Sequence, residues 1–288
     1  MDNHSNIRTG IDLSGTNYLT AQVEKQGSSI KVLALSQIST GDLSRSLLSD
    51  NSPMVMSLSD NLVLFKNLTI PQNYSGSEEK ILHFELEHSL LSEPGDICYD
   101  MINTSDNTRP VAMAAHKQRI ENLEQMIRTN ENQSHSPEGF LPRSVALGRG
   151  FIQFCSNDTE RLVCLTDFSQ ENVPICLVLG NSIVALGNFD RKPFELDSEH
   201  GLHRLAAELK TVINFKLSEL SARGIIVELA RFVICGSVLS ENQKQAIASK
   251  LSVELEEPVL DRVLLDRPVL DSHLPVSDFL VSLGLTVE

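Results

Sequence analysis

Gly10-Ile11-Asp12-Leu13-Ser14-Gly15-Thr16, followed at once by Asn17-Tyr18-Leu19-Thr20-Ala21-Gln22-Val23, reads as a strand, a tight turn and a returning strand. The backbone N–H groups of such a turn can point at phosphates, and an Asp at its edge can hold a hydrated magnesium ion. The same D-x-S pattern returns in Leu162-Val163-Cys164-Leu165-Thr166-Asp167-Phe168-Ser169, which runs through a short turn into the apolar stretch 173–179. A third apolar strand, Phe232-Val233-Ile234-Cys235, meets Gly236-Ser237, where a base and sugar would slide over a pair of glycines. Each pattern is common by itself. In this order and spacing they lay out two duplicated half-domains facing one cleft.

The surrounding sequence repeats the duplication. Residues 30–36 read as a third strand after the first hairpin, and Ser182-Ile183-Val184-Ala185-Leu186-Gly187-Asn188-Phe189 reads as a third strand after the second. Residues 54–58 read as a buried strand. From 61 to 128 the pattern is strand, helix, strand, strand, helix, a unit with its own apolar faces that reads as an insertion in the first lobe. The polar stretch Asn130-Glu131-Asn132-Gln133-Ser134-His135-Ser136-Pro137 ends it, and a helix over 142–151 returns the chain to the first lobe. A helix over 198–222 carries Leu202, Leu205, Ala206, Leu209, Val212, Ile213, Leu217 and Leu220 at a 3.6-residue period, the pattern of a core-facing helix. Residues 241–251 give a second helix. The expected organisation is 1–60 for the start of the first lobe, 61–130 for the insertion and 131–158 for a linker and return helix. The second lobe takes 159–272, and 273–288 forms a closing helix on the first lobe.

Composition narrows the function. A net charge of -14 with no Lys/Arg cluster repels phosphate backbones and anionic headgroups, which argues against nucleic acid as a partner. Five cysteines, at 98, 155, 164, 176 and 235, form no CxxC pair, and three lie inside apolar strands; they read as reduced core residues. No run approaches the ~20 apolar residues that span a bilayer, and Met1-Asp2-Asn3-His4-Ser5 lacks the pattern of a signal peptide. The expectation is a cytoplasmic protein with no direct membrane insertion. His200 and His203 share a helical face, but with no third ligand they read as a solvated helix start. His83 and His88 are five apart and read as surface residues. Nothing places a His beside Ser14, Ser169 or Ser237, so serine catalysis is not expected.

Stretches between the turns extend these patterns to a family. Residues 62–71 (Leu-Val-Leu-Phe-Lys-Asn-Leu-Thr-Ile-Pro), the acidic helix 78–91 and the strand Cys98-Tyr99-Asp100-Met101-Ile102 are similar to PilM, the actin-like assembly protein of type IV pili. So are the strand-to-helix step 110–120 and the C-terminal stretch 277–285. PilM is related to FtsA and to the cytoplasmic part of GspL. The resemblance implies an α/β, actin-like (ribonuclease H-like, duplicated) two-lobed fold with an inserted α+β subdomain. It implies a nucleotide cleft formed by Asp12, Ser14, Gly15, Thr16, Asp167, Ser169, Gly236 and Ser237, with Asp12 and Asp167 holding the water shell of a metal. It also implies a partner, the cytoplasmic tail of a PilN-like single-span inner-membrane protein. A groove between the first lobe and the insertion would take that tail, with Leu64, Phe65, Leu68 and Ile70 on one side and Ile120, Leu123 and Ile127 on the other.

The chain departs from the family where phosphates would bind. Ser14 and Ser169 replace turn glycines, Leu19 stands where a lysine is common, and Cys235 replaces one glycine of the pair. Glycine admits positive φ and close backbone approach, so each loss weakens the grip. Asp12 and Asp167 therefore read first as residues that stabilise their own turns by Asx hydrogen bonds, and second as metal ligands. No cofactor is required; ATP and Mg2+ would bind at most weakly, and hydrolysis is not expected because phosphoryl transfer depends on placed donors. The expectation is a non-enzymatic adaptor, peripheral at the inner membrane, of a type IV pilus or related type II secretion complex. The alternative is an active ATPase or small-molecule kinase that binds Mg-ATP between the lobes.

Overall fold

The computed structural model describes residues 6–13, 17–26, 29–39, 52–68, 80–82, 84–86, 94–102, 110–131, 137–155, 161–192, 196, 198–236, 238–260, 263–265 and 274–287. Strands β1 (Ile7–Asp12), β2 (Asn17–Gln26) and β3 (Ser29–Ser39) form an antiparallel meander. Strand β4 (Met54–Leu58) joins it parallel to β1. The second meander repeats the arrangement with β9 (Leu162–Asp167), β10 (Asn172–Leu179) and β11 (Ser182–Asp190), and β12 (Leu229–Cys235) lies parallel to β9. The short strands β8 (Gly139–Pro142) and β13 (Glu254–Glu256) extend the two sheets in parallel. The orders β3-β2-β1-β4-β8 and β11-β10-β9-β12-β13 are one topology used twice.

One segment departs from the expected boundaries. Strand β14 (Val263–Leu265), assigned by sequence to the second lobe, pairs in parallel with residues 30–32 of β3 and becomes the outer strand of the first sheet. A short apolar strand covers an edge that would otherwise present unpaired amides.

The helix expected over 142–151 also takes a different place. It runs as α2 (Arg143–Phe154) and packs between the two sheets, with Val145, Ala146, Leu147, Phe151 and Phe154 at 0–1% exposure in a core shared by both lobes. The closing segment, α5 (Leu280–Gly284), lies against it. The approach is close: a Cβ on Gly284 would stand 1.7 Å from the Ala146 carbonyl oxygen, and one on Gly150 would stand 2.1 Å from the Leu280 oxygen. Only hydrogen fits at those two positions.

The outer face of the second sheet is covered by α3 (Glu199–Ala222) and α4 (Glu241–Leu251). Leu205, Ala206, Leu209, Ile213 and Leu220 of α3 are buried, and Leu202, Val212 and Leu217 flank them, so the whole expected stripe faces the core. Ser198 caps α3 by accepting from the Gly201 N–H at 3.0 Å, which leaves His200 and His203 exposed on the first turns. Ser240 and Gln243 form a capping box on α4.

The insertion holds a three-stranded sheet in the order β5 (Leu64–Asn67), β7 (Val111–His116), β6 (Ile97–Ile102), followed by α1 (Lys117–Glu131). One face carries Leu64, Ile97, Ala112 and Ala114 against Leu82 and Leu86 of a helical stretch, and the other carries Ile102, Val111 and Met113 against the central core. The alternation is the period of two that lets one sheet serve two interiors. All five cysteines are free thiols; four are buried, and burial pushes the Cys164 thiol well up, whereas Cys98 is exposed and departs from the core position expected for it. Among the described residues, no helix is long and apolar enough to cross a membrane.

Candidate functional site

Asp12 ends β1 and Asp167 ends β9, each at the carboxyl end of a strand with a parallel neighbour, where ligands of α/β sheets bind. The duplication brings the two carboxylates to the same place, both buried, at 0% and 1% exposure. The guanidinium of Arg143, the first residue of α2, lies between them. Its Nε donates to Asp12 Oδ1 at 3.0 Å and its Nη2 to Asp12 Oδ2 at 3.1 Å, a bidentate fork. The same Nη2 donates to Asp167 Oδ2 at 3.1 Å and to Ser169 Oγ at 2.7 Å. Burial opposes the charge on Arg143, but the pull of Asp12 and Asp167 outweighs it and holds the guanidinium above its ordinary pKa. One internal cation thus serves a carboxylate from each lobe.

The turn amides face inward as well. The Phe168 N–H donates to the Cys235 carbonyl at 3.0 Å, and the Ser169 N–H donates to Asp167 Oδ1 at 2.7 Å, an Asx turn. Arg191, itself buried, donates to the Gln170 carbonyl at 3.1 Å and the Phe168 carbonyl at 3.3 Å and fixes the turn from outside. The Gln170 side-chain amide donates to the Leu13 carbonyl and ties the second turn to the first. The Leu13 N–H is taken by Ser57 Oγ at 2.9 Å. Gly236 keeps the positive φ, +96°, that a base-contacting turn uses, yet its N–H donates to Asp278 Oδ1 at 3.0 Å. A Cβ there would stand 2.7 Å from the Ser169 nitrogen, so the third turn is packed directly on the second. Ser14, Gly15, Thr16 and Ser237 lie outside the described residues.

Beside Arg143, Asp60 is buried and accepts the Ser144 N–H with both carboxylate oxygens, at 3.2 and 3.1 Å, at the start of α2. Desolvation dominates its environment and pushes its pKa up to about 7, against the lowering effect of the Ser144 amide and Arg143.

A magnesium ion at Asp12 and Asp167 would have to share both carboxylates with a guanidinium already in hydrogen-bond contact with each. Two cations in that space would repel at short range, so the donor set does not fit the metal. Among the described residues no group of three or more His, Cys, Asp or Glu side chains could hold a metal elsewhere.

On the other side of β8 lies an open groove of about 270 Å³ between the first sheet and the insertion. Leu58, Phe140 and Pro142 line one wall, Met113, Tyr99 and Ile120 the other, with Asp100 and Glu124 at its polar margin. The partner-facing residues expected from sequence divide. Ile120 lines this groove. Leu64 and Leu68 instead pack inside the insertion's own core, and Phe65 turns to the central core, because successive residues of β5 point to opposite faces. Leu123 is not part of the lining, and the Ile127 side chain and Ile70 lie outside the described residues.

No family model matches the sequence, and no curated protein matches it by sequence. Solved structures do match by shape. A PilM-PilN type IV pilus biogenesis complex covers 97% of this chain and 97% of its own with a TM-score of 0.74 at 14% identity. A Bacteroides thetaiotaomicron protein described as having an actin-like ATPase fold covers 89% of this chain and 94% of its own with a TM-score of 0.50 at 9% identity. This chain has the actin-like ATPase fold. The cytoplasmic domain of EpsL, an inner-membrane component of the type II secretion system of Vibrio cholerae, shares it over 98% of this chain and 96% of its own, with a TM-score of 0.52 at 13% identity.

Within the actin-like fold, Arg143, Asp278 and Asp60 are the residues that sequence reasoning left without a role. Arg143 had a signal: a charged residue opening the apolar run Val145-Ala146-Leu147 in a chain with two cleft carboxylates unaccounted for. Asp278 and Asp60 had none, since each acts on a backbone N–H far away in sequence.

Proposed function

We propose that this chain is a non-catalytic actin-like scaffold of a type IV pilus, or related type II secretion, assembly complex. It acts in the cytoplasm, peripheral at the inner membrane, and seats the cytoplasmic tail of a PilN-like single-span protein in the groove beside β8. The observation that carries this reading is Arg143 between Asp12 and Asp167, where an ATPase of this fold would need a metal. The described turn amides of Leu13, Phe168, Ser169 and Gly236 are bonded internally and not offered to phosphate, and phosphoryl transfer depends on free donors. The groove has the opposite character: open, mainly apolar and bordered by β8, the edge strand opposite β14 in the first sheet, as an extended apolar peptide needs. The shape match to a PilM-PilN complex supports the choice of partner.

Two experiments test the reading. Calorimetry with Mg-ATP should give a Kd weaker than ~0.1 mM and no turnover above background. Low-micromolar affinity abolished by Asp12→Ala would mean that the cleft still holds metal, and would overturn the non-catalytic half. Co-expression with a single-span partner should bring the protein into the membrane pellet, and a synthetic peptide of the partner's cytoplasmic tail should release it. Pelleting without any such partner would overturn the adaptor half.

A further inference from the structure

A second hollow, of about 330 Å³, lies where the insertion, α2 and the second sheet meet, away from both the cleft and the groove. Arg149 and Gln153 enter it from one face of α2, and Asn181 and Ser182 enter from the turn between β10 and β11. Ile102 and Ile152 supply apolar wall, and the volume is within the range of small-molecule sites. Arg149 is half-buried and donates one bond, from Nη1 to the Val287 carbonyl at 3.1 Å. Burial pulls its pKa down, with Asp100 acting the other way from a distance, and no described carboxylate pairs with it. In a chain of net charge -14, a partly desolvated guanidinium with no ion pair among the described residues stands apart. The side chains of Gln153, Asn181 and Ser182 likewise make no hydrogen bond to another described residue.

We propose that this hollow is a binding site for a small amphiphilic monocarboxylate. The guanidinium fork matches a carboxylate in charge and plane, and the amide and hydroxyl groups offer further donors to its oxygens. A single cation, with no lysine among the described lining residues, suits one negative charge, not the two of a phosphate monoester. The isoleucine wall asks for a hydrocarbon body behind the charged head. A bound ligand would touch the insertion, α2 and the second sheet together. The site does not depend on the adaptor reading above.

The test uses the full chain, isotope-labelled, titrated with hexanoate and followed by amide and side-chain chemical shifts. Hexanoate should shift residues 149–153 and 181–183 and bind about tenfold or more tightly than its neutral isostere hexanamide, the factor expected for a charge-assisted bond. Arg149→Gln should abolish that preference. Arg149 also holds the Val287 carbonyl, so Gln153→Leu and Asn181→Ala, which remove no core contact, provide the same test if the arginine variant unfolds; each should weaken hexanoate several-fold. Equal affinity for hexanamide, stronger shifts with inorganic phosphate, shifts that map elsewhere, or variants that bind as tightly as the parent would each overturn the proposal.

Discussion

Pro142 and Arg143 are adjacent in sequence and face different hollows. Pro142 lines the groove beside β8, and Arg143 fills the cleft between the sheets. The cleft is buried and charged, with a guanidinium holding a carboxylate from each lobe and its Nη1 left without a partner among the described residues. The groove is open and mostly apolar. One helix start therefore separates a nucleotide-type position occupied by the protein's own side chain from a surface still able to receive something else. Within the actin-like fold, this internal cation supplies the charge that the two buried carboxylates require.

The largest expected effect breaks the contrast from the cleft side. Arg143→Met would leave Asp12 and Asp167 buried beside each other with no cation, and should cost about 3–5 kcal/mol in urea unfolding. Adding Asp12→Asn and Asp167→Asn should recover most of the loss, since replacing all the charged members of a buried network is far milder than removing one. Millimolar Mg2+ should stabilise Arg143→Ala and leave the parent unchanged, because the variant opens space for another cation between the carboxylates. A loss below about 1 kcal/mol for Arg143→Met would mean that the network behaves like an exposed ion pair and does not hold the lobes together.

Asp60 sharpens the same side through pH. Its folded pKa, about 7, lies above the ordinary 3.8, so the folded state holds the proton more tightly than the unfolded chain. Its contribution is fully present below pH 4 and is lost as pH rises from about 4 to about 7. Asp60→Asn keeps a neutral oxygen for the Ser144 N–H and removes the ionisation. The variant should flatten stability between pH 4 and 7 and gain about 1–3 kcal/mol above pH 7, read from urea midpoints across pH. A variant with an unchanged slope would place the titration elsewhere.

What the sequence revealed follows from what is local. The two D-x-S hairpins, the α3 stripe and the strand, helix, strand, strand, helix pattern of the insertion are patterns within single segments; they carried the duplicated two-lobed reading, and the resemblance to PilM implied the actin-like architecture. The Asx role of Asp167 was legible for the same reason, since its partner is two residues away. The burial of α2 between the sheets, the pairing of β14 with β3 and the plug at Arg143 join residues far apart in the chain, and no local pattern encodes them. The expected groove wall divides between two interiors for a related reason. Residues 64–70 showed an apolar run, but a run does not reveal which face a strand turns to which interior.

The smallest effect tests the groove and needs no change in stability. Ile120 is half-exposed on α1 and lines the groove, so Ile120→Asp should leave the urea midpoint within about 0.5 kcal/mol of the parent, as for surface positions. It places a charge in an apolar wall, and should weaken binding of the partner's tail peptide by about 1–3 kcal/mol, the range of an interface anchor. Leu68→Asp provides the opposite control. Leu68 is 2% exposed inside the insertion, so a charge there should unfold the subdomain, seen by circular dichroism, and any loss of binding would be secondary. Asp12→Asn should leave peptide affinity unchanged if cleft and groove are independent. Should Ile120→Asp bind the tail like the parent while Asp12→Asn weakens it, the cleft would be the docking surface and the roles assigned to the two hollows would have to be exchanged.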